Sequence, residues 1–312
     1  MTVELEEAGF AGGPGRFTGD RRAYALLTTT ALCWAANVVI GKFAIGEVSP
    51  LVLVTFRWIV VLTLLLVLAR RQIAMDLPLL KKHWLFMLSM GALGYAAFNA
   101  MLYTAAHHTS AVNIGILQGS LPVFVLLLAA LALRSTTSWL QVSGVFITLV
   151  GAGVVATGGS LERLLRLSTG FGDLLMILAC LLFAGYTLAL RRRPDVSALG
   201  MFAALALGAF VASAPMLATE FVLGGSQWPT RTGWLLILFS AVVPSITGQI
   251  CFMQGVQLIG PKRAGVFVNM VPVFASVFAV VLLRESFELF HAVALSLVLA
   301  GIWLSERSEE VT

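Results

Sequence analysis

The chain has 312 residues, of which 59% are hydrophobic and only 11% are charged, with a mean hydropathy of +0.95. A soluble domain carries about 25% charged residues, so this composition excludes a soluble protein and predicts a chain dissolved in lipid. The net charge of +5 does not indicate a nucleic-acid partner, because Lys and Arg that cluster in loops are the usual topology signal of a membrane protein.

Ten apolar segments are long enough to cross a bilayer as helices, which takes about 20 residues each. Loops with Pro, Gly or clustered charges separate them. In chain order the predicted spans are 23–43, 50–69, 84–104, 111–133, 138–157, 173–190, 197–219, 232–258, 264–283 and 289–305. The predicted fold class is therefore an all-α polytopic membrane protein with ten transmembrane helices. Residues 1–22 and 306–312 are expected to be polar tails.

The distribution of Lys and Arg predicts the orientation of these spans. If the N-terminus is cytoplasmic, 14 Lys and Arg lie on the cytoplasmic side and 5 on the other side. Short cytoplasmic loops carry an excess of positive charge. We therefore expect a multi-pass protein of a bacterial inner (plasma) membrane, with both termini in the cytoplasm.

One passage of the sequence occurs twice. "LQGSLPVFVLLLAALALRS" covers residues 117–135, and "FVNMVPVFASVFAVVLLRE" covers residues 267–285, 150 positions later. The chain therefore divides into two five-span repeats, at 23–157 and 168–305. Because five is odd, the second repeat is inverted in the membrane. Inverted repeats are typical of secondary transporters, although a structural duplication without transport would show the same pattern.

Each copy of this passage places a proline inside a predicted span. Pro122 and Pro272 would each remove one helical hydrogen bond and free the carbonyls of Gln118 and Val268. In lipid a freed carbonyl needs a partner or a cavity. The two prolines are therefore candidate hinges, and the alternative is that they only shape packing.

Three stretches of the sequence resemble the EamA-type drug/metabolite transporters. They are "ALCWAANVVIGKFAIGEVSPLVLVTFRW", "YTAAHHTSAVNIGILQGSLPVFVLLLAAL" and "QLIGPKRAGVFVNMVPVFASVFAVVLLRESF". Within that family the chain looks most like the YddG-type amino-acid exporters. The resemblance implies a ten-helix, inverted-repeat exporter of small metabolites. One departure is Arg134-Ser135, where the first repeat lacks the Glu that stands at Glu285 in the second.

The 150-residue offset pairs polar residues of spans three and eight. Tyr95 matches Ser245, Asn99 matches Gln249, and Tyr103 matches Met253. Buried amides are costly without partners, so the paired positions predict a shared polar cavity between the repeats. The alternative is hydrogen bonding between helices.

Further candidates for substrate contact are aromatic or amide side chains inside the spans. The aromatic candidates are Trp34, Phe183, Tyr186 and Phe252, and the amide candidates are Asn37, Asn113, Gln118 and Asn269. For each aromatic, simple packing is the alternative. Arg57 is the one Lys or Arg deep in a span. An intramembrane charge is a candidate functional group, but it also suits a structural ion pair or a carbonyl clamp.

The sequence places all 15 Asp and Glu in tails, loops or span ends. It contains no phosphate-binding Gly-Lys-Ser/Thr loop and no cluster of metal-ligating residues. We therefore expect no enzyme activity, metal or cofactor, and only a small-molecule substrate and membrane lipid as partners, with no obligatory protein partner.

The expected function is export of amino acids, aromatic and other neutral ones, by alternating access through a central cavity. Without an intramembrane carboxylate, uniport is expected. The alternatives are a transporter of anionic metabolites such as sugar phosphates or nucleotide sugars, a proton-coupled antiporter, and an intramembrane enzyme, for which no acid–base constellation is visible.

Overall fold

The computed structural model describes residues 16–133, 138–160, 162 and 170–307, and the regular elements within these residues are all helical. Helices are expected here, because a span in lipid must satisfy its backbone hydrogen bonds internally. We call the side of the bundle where the first helix begins the near side and the opposite side the far side.

The first repeat crosses the membrane five times. Its elements are α1 (Arg16–Phe43), α2 (Pro50–Leu68), α3 (Arg70–Lys82), α4 (Trp84–Gly91), π1 (Ala92–Ala97), α5 (Phe98–Ala105), α6 (Ala111–Gln118), α7 (Leu121–Leu133) and α8 (Trp139–Ala156). Span three consists of α4, π1 and α5, and span four of α6 and α7.

The second repeat has the same plan in the opposite orientation. Its elements are α9 (Phe171–Ala189), a short 3₁₀ turn (Leu190–Arg192), α10 (Ala198–Val222), α11 (Arg231–Ser240), π2 (Ala241–Thr247), α12 (Gly248–Val268), α13 (Val271–Leu283) and α14 (Leu289–Arg307). Helix α12 is broken at Gly260, whose φ of 80° needs a residue without Cβ. This break is the near-side corner between spans eight and nine.

The prediction of an all-helical protein with ten spans is confirmed. Within the described residues, nine helical segments are long and apolar enough to cross a membrane, and a shorter apolar helix, Leu289–Ser305, supplies the tenth. Five spans in each half make the two repeats inverted relative to each other.

The sequence predicted that the two prolines lie inside continuous helices, and this prediction is wrong. Span four is divided by a turn at residues 119–120, and span nine by a turn at residues 269–270. Pro122 and Pro272 therefore lie in the first turns of α7 and α13. A proline is accepted there because the first-turn N–H has no helical partner to lose. Whether these breaks act as hinges stays a prediction.

Both repeats carry a π-helical segment at the matching position. π1 covers 92–97 and π2 covers 241–247, which the 150-residue offset superposes to within one residue. Short π segments in α-helices occur frequently at functional sites, because they free backbone groups and redirect side chains. The two segments carry Tyr95 and Ser245, the pair that the repeat singled out.

Two regions differ from the predicted boundaries. α1 begins at Arg16, within the segment expected to be a tail, and α3 occupies a stretch expected to be a loop. α3 is too polar to be a span, but Asp76 anchors it by accepting a 2.5 Å hydrogen bond from the Ser197 hydroxyl. The expected tail at 1–15 and the departure at Arg134-Ser135 lie outside the described residues.

Spans five and ten pack together through small residues. A Cβ on Gly301 of α14 would lie 2.2 Å from Thr148 Oγ1 and 2.6 Å from the Gly144 carbonyl oxygen of α8. Such close approach between helices requires glycine at the crossing. This contact joins the last spans of the two repeats.

Candidate functional site

A buried guanidinium in α2 is the centre of the candidate site. Arg57 is only 4% exposed. Its Nη1 donates to Asn37 Oδ1 at 2.9 Å, to Asn99 Oδ1 at 2.8 Å and to the Tyr103 hydroxyl at 2.6 Å. The three acceptors come from α1 and α5. Spans one, two and three of the first repeat therefore meet at this one nitrogen.

The same guanidinium also reaches the second repeat. Arg57 Nε donates to Ser245 Oγ at 2.8 Å, and the Ser245 hydroxyl donates to the Ser240 carbonyl at 2.9 Å. Ser245 lies in π2, where the π geometry leaves the Ser240 carbonyl open to a side-chain donor. Arg57 thus links the two inverted repeats by a hydrogen bond inside the membrane.

The electrostatics of this cluster are unusual for a buried charge. The four hydrogen-bond partners of Arg57 are all neutral. Taking a charge out of water costs free energy, which a counter-ion usually offsets. Arg57 Nη2 makes no hydrogen bond within the described residues. The cluster therefore holds a positive charge to which a bound anionic group can be attracted.

A row of aromatic rings starts beside the guanidinium. The Arg57 Cζ lies 5.3 Å from the ring centroid of Trp58, which stacks on Tyr95 at 5.0 Å with an interplanar angle of 6°. Neighbouring rings beyond Tyr95 lie 5.0–6.1 Å apart, and they are Tyr186, Phe183, Phe98 and Phe202. Rings from both repeats therefore form one apolar wall next to the charge.

Tyr95 belongs to this wall and not to the cluster around Arg57. Its side chain interacts with Tyr186, while its carbonyl accepts a 2.8 Å hydrogen bond from Asn99 Nδ2. The amide of Asn99 therefore connects the charged cluster to the aromatic wall. Phe183 and Tyr186, both predicted from the sequence, also lie in the wall.

A second aromatic pair lies between α1 and α12. The rings of Trp34 and Phe252 are 5.2 Å apart. Gln249, on the same helix as Phe252, is half-buried and makes no side-chain hydrogen bond within the described residues. The structure thus does not join Gln249 to its repeat partner Asn99, and the prediction that both line one cavity remains open to test.

Asn113 belongs to a separate polar cluster on the far side. Its Nδ2 donates to Thr109 Oγ1 at 3.0 Å and to Asp173 Oδ1 at 3.3 Å, and its Oδ1 lies 3.1 Å from His291 Nε2. Asp173 also accepts a 2.6 Å hydrogen bond from the Thr109 hydroxyl. Asp173 is buried in the first turn of α9, at the span end where the sequence placed it, and hydrogen bonds from the first repeat satisfy it.

The remaining predicted residues lie at the breaks of spans four and nine. Gln118 ends α6, and its Oε1 is buried with no hydrogen-bond partner among the described residues. Asn269 is half-buried at the end of α12. Neither shares a hydrogen bond with the Arg57 cluster.

Sequence reasoning missed three aromatic members of the site, of which Phe202 has no polar neighbour in the sequence. Trp58 and Phe98 were not predicted, although each directly neighbours a predicted residue, Arg57 and Asn99. Their positions beside polar residues deep in a span were a usable signal. Because neither has a polar or aromatic equivalent at the 150-residue offset, the repeat did not point to them.

Ten spans in two inverted repeats, with a charged and aromatic site where the repeats meet, define a multi-pass membrane transporter. The sequence pattern of the EamA-like transporter family matches residues 21–157 and again residues 170–307. The chain therefore belongs to the EamA-like transporter family, as the motifs had indicated.

Relatives of known sequence agree with this assignment. An uncharacterized transporter of Bacillus subtilis, YyaM, is 25% identical over 281 residues, which cover 89% of this chain and 92% of YyaM. An uncharacterized transporter of Archaeoglobus fulgidus is 26% identical over 295 residues, covering 93% of this chain and 99% of that protein.

Two other likenesses are more limited. A probable terminal-alkyne amino-acid exporter of Streptantibioticus cattleyicolor is 33% identical over 94 residues, covering 30% of this chain and 29% of that protein. A solved crystal structure matches with a TM-score of 0.62 and 18% identity over 92% of this chain and 98% of that chain, which shows the fold alone.

Proposed function

We propose that this transporter exports amino acids, aromatic and other neutral ones, across the plasma membrane of a bacterium. The proposal rests chiefly on one observation, the row of aromatic rings that begins at the buried Arg57 guanidinium. An α-amino acid with an apolar side chain presents a carboxylate next to a hydrophobic group, and the site offers a cation next to an aromatic wall. The amides of Asn37 and Asn99 supply oxygens near the same point.

The transport cycle in this proposal is alternating access. The site lies where the two inverted repeats meet, so a rocking motion of one repeat against the other would open it first to one side and then to the other. Both termini would be cytoplasmic, as the excess of Lys and Arg in those loops indicates. Flux would follow the gradient of the substrate, without an obligatory proton.

The short match to the Streptantibioticus cattleyicolor amino-acid exporter supports this substrate class, although it covers 30% of the chain. A specific observation also favours a second candidate. A buried cation with neutral partners, such as Arg57, also suits anionic metabolites such as sugar phosphates. The binding site of a phosphate group needs at least one positive charge, and Arg57 supplies one.

A flux assay in proteoliposomes separates the two candidates. Purified full-length protein is reconstituted with labelled phenylalanine inside, and efflux is measured with an excess of unlabelled competitor. Phenylalanine, tryptophan, leucine and alanine should compete, and glucose phosphate should not. Absence of phenylalanine flux together with flux of a labelled sugar phosphate would replace the first candidate by the second.

A further inference from the structure

One edge of the Arg57 guanidinium has a hydrogen-bond partner at only one of its two nitrogens. In a guanidinium, Nε and Nη2 share the side edge and point their N–H bonds in the same direction. Here Nε donates to the Ser245 hydroxyl at 2.8 Å, and Nη2 makes no hydrogen bond within the described residues. The other nitrogen, Nη1, is fully engaged by three oxygens of the first repeat.

The neighbouring indole also lacks a partner. Trp58 is 2% exposed, and its Nε1 is buried with no hydrogen-bond acceptor among the described residues. A buried N–H without an acceptor destabilises a protein. The ring centroid lies 5.3 Å from the Arg57 Cζ, so an indole with an unsatisfied donor packs against the guanidinium.

A carboxylate complements this arrangement. Its two oxygens match the two parallel N–H groups of a guanidinium edge, and such charge-assisted hydrogen bonds are about twice as strong as neutral ones. A hydroxyl supplies one neutral acceptor to the same edge. A carboxylate that arrives at Arg57 therefore has a stronger interaction available than the Ser245 hydroxyl already there.

We propose that Arg57 binds the carboxylate of the transported molecule, and that this carboxylate replaces Ser245 on the Nε–Nη2 edge. The proposal rests on the proposed function and names the substrate group that the site recognises. Ser245 loses an N–H donor in the exchange, but its hydroxyl continues to donate to the Ser240 carbonyl at 2.9 Å. The exchange therefore leaves no buried hydroxyl donor unsatisfied.

The exchange also connects binding to movement. Asn37, Asn99 and Tyr103 belong to the first repeat, whereas Ser245 belongs to the second. Of the hydrogen bonds that Arg57 makes, the one that the substrate displaces is the one that crosses between the repeats. Carboxylate binding thus breaks the hydrogen bond between π2 and α2, while α1, α2 and α5 stay joined. Thr55 of α2 still donates to the Ser213 carbonyl of the second repeat at 3.4 Å, so the substrate weakens the junction between the repeats at the site without separating them.

The first test uses the wild-type protein and four competitors that differ in one group. Efflux of labelled phenylalanine from proteoliposomes is measured with phenylalanine, phenylpropanoate, phenylalanine amide or phenethylamine added. The first two retain the carboxylate and should inhibit, whereas the last two lack it and should inhibit at least about tenfold more weakly. Equal inhibition by phenylalanine and phenylalanine amide would overturn the proposal.

The second test uses variants. Arg57→Gln removes the charge, Arg57→Lys keeps it but removes the planar fork, and Thr63→Ala on the exposed face of the same helix is the control. Arg57→Lys should raise KM for phenylalanine by about tenfold or more, and Thr63→Ala should not change it. Ser245→Ala removes the competing acceptor and should lower KM. A raised KM in Ser245→Ala would show that Ser245 holds the substrate, which contradicts the exchange.

A third test measures ligand binding and does not depend on transport activity. It compares several variants, so the misfolding of a single variant does not decide the outcome. Phenylpropanoate should raise the Tm of the purified wild-type protein and of Thr63→Ala, but not of Arg57→Lys or Arg57→Gln. If no phenylalanine moves while this pattern holds, the proposed function fails and the carboxylate site stands. If phenylalanine moves and phenylpropanoate raises the Tm of every variant equally, the carboxylate site fails and the proposed function stands.

Discussion

Glu285 of the second repeat accepts hydrogen bonds from the backbone N–H groups at Ala111 and Val112, at 2.9 and 3.0 Å. These two N–H groups open α6 of the first repeat, where a helix has no internal acceptors for them. The carboxylate also lies at the positive end of the helix dipole. Glu285 therefore joins the repeats on the far side by capping a helix that belongs to the other repeat.

Removing this cap should destabilise the protein. Glu285→Ala should lower the free energy of unfolding by about 1–2 kcal/mol, the usual cost of losing a helix cap. Glu285→Gln should cost less, because an amide oxygen can still accept one hydrogen bond. Thermal unfolding in detergent measures both, with the exposed Glu288→Ala as control. Equal Tm values for Glu285→Ala and Glu288→Ala would contradict the role of the cap.

The sequence predicted the ten spans because a bilayer imposes one length and one composition on every span. It also predicted the pairing of Tyr95 with Ser245, because duplication preserves spacing. It did not predict the π segments that carry this pair, since no residue pattern distinguishes a π segment from the α-helix around it. The partners of Arg57 were also beyond the sequence, because they come from spans one, three and eight and depend on packing.

The predicted topology can be tested with single cysteines in a variant that lacks Cys33, Cys180 and Cys251. Ser226 is on the far side and Asp195 on the near side. A membrane-impermeant thiol reagent added to intact cells should label Ser226→Cys and should label Asp195→Cys only after the cells are broken. Reversed accessibility would place the termini outside and would contradict the predicted orientation.

The absence of an obligatory proton is a separate prediction. Flux of phenylalanine in proteoliposomes that contain a pH-sensitive dye should proceed without a matching change in internal pH, and an imposed pH gradient should not drive accumulation. The candidate proton carrier is the buried Asp173, which accepts hydrogen bonds from Thr109 and Asn113 on the far side. If protons do move with the substrate, Asp173→Asn identifies whether this carboxylate carries them.

Asn99 and Gln249 are paired by the repeat but should respond differently to substitution. Asn99→Leu removes an acceptor from Arg57 and from Asn37, and leaving such groups unpaired costs about 1–3 kcal/mol, more for charged groups. Gln249→Leu removes no side-chain hydrogen bond within the described residues. We expect both variants to transport more slowly, and only Asn99→Leu to lose stability. Wild-type flux in Gln249→Leu would show that Gln249 does not line the path.

Asn99→Asp separates the structural role of the cluster from its role in binding. The Asn99 Oδ1 accepts from Arg57 Nη1 at 2.8 Å, so an aspartate here would give the guanidinium a permanent counter-ion of similar shape. A buried ion pair with good geometry can offset its own desolvation, but the aspartate also loses the hydrogen bond that Asn99 Nδ2 donates to the Tyr95 carbonyl at 2.8 Å. We therefore expect the Tm to stay near the wild-type value or to fall by a few degrees. The neutralised Arg57 would attract a carboxylate substrate much less, so KM for phenylalanine should rise by at least about tenfold. Asn99→Gln, which is uncharged, is the matched control. A variant Asn99→Asp with normal stability and a wild-type KM would show that the charge of Arg57 does not take part in substrate binding.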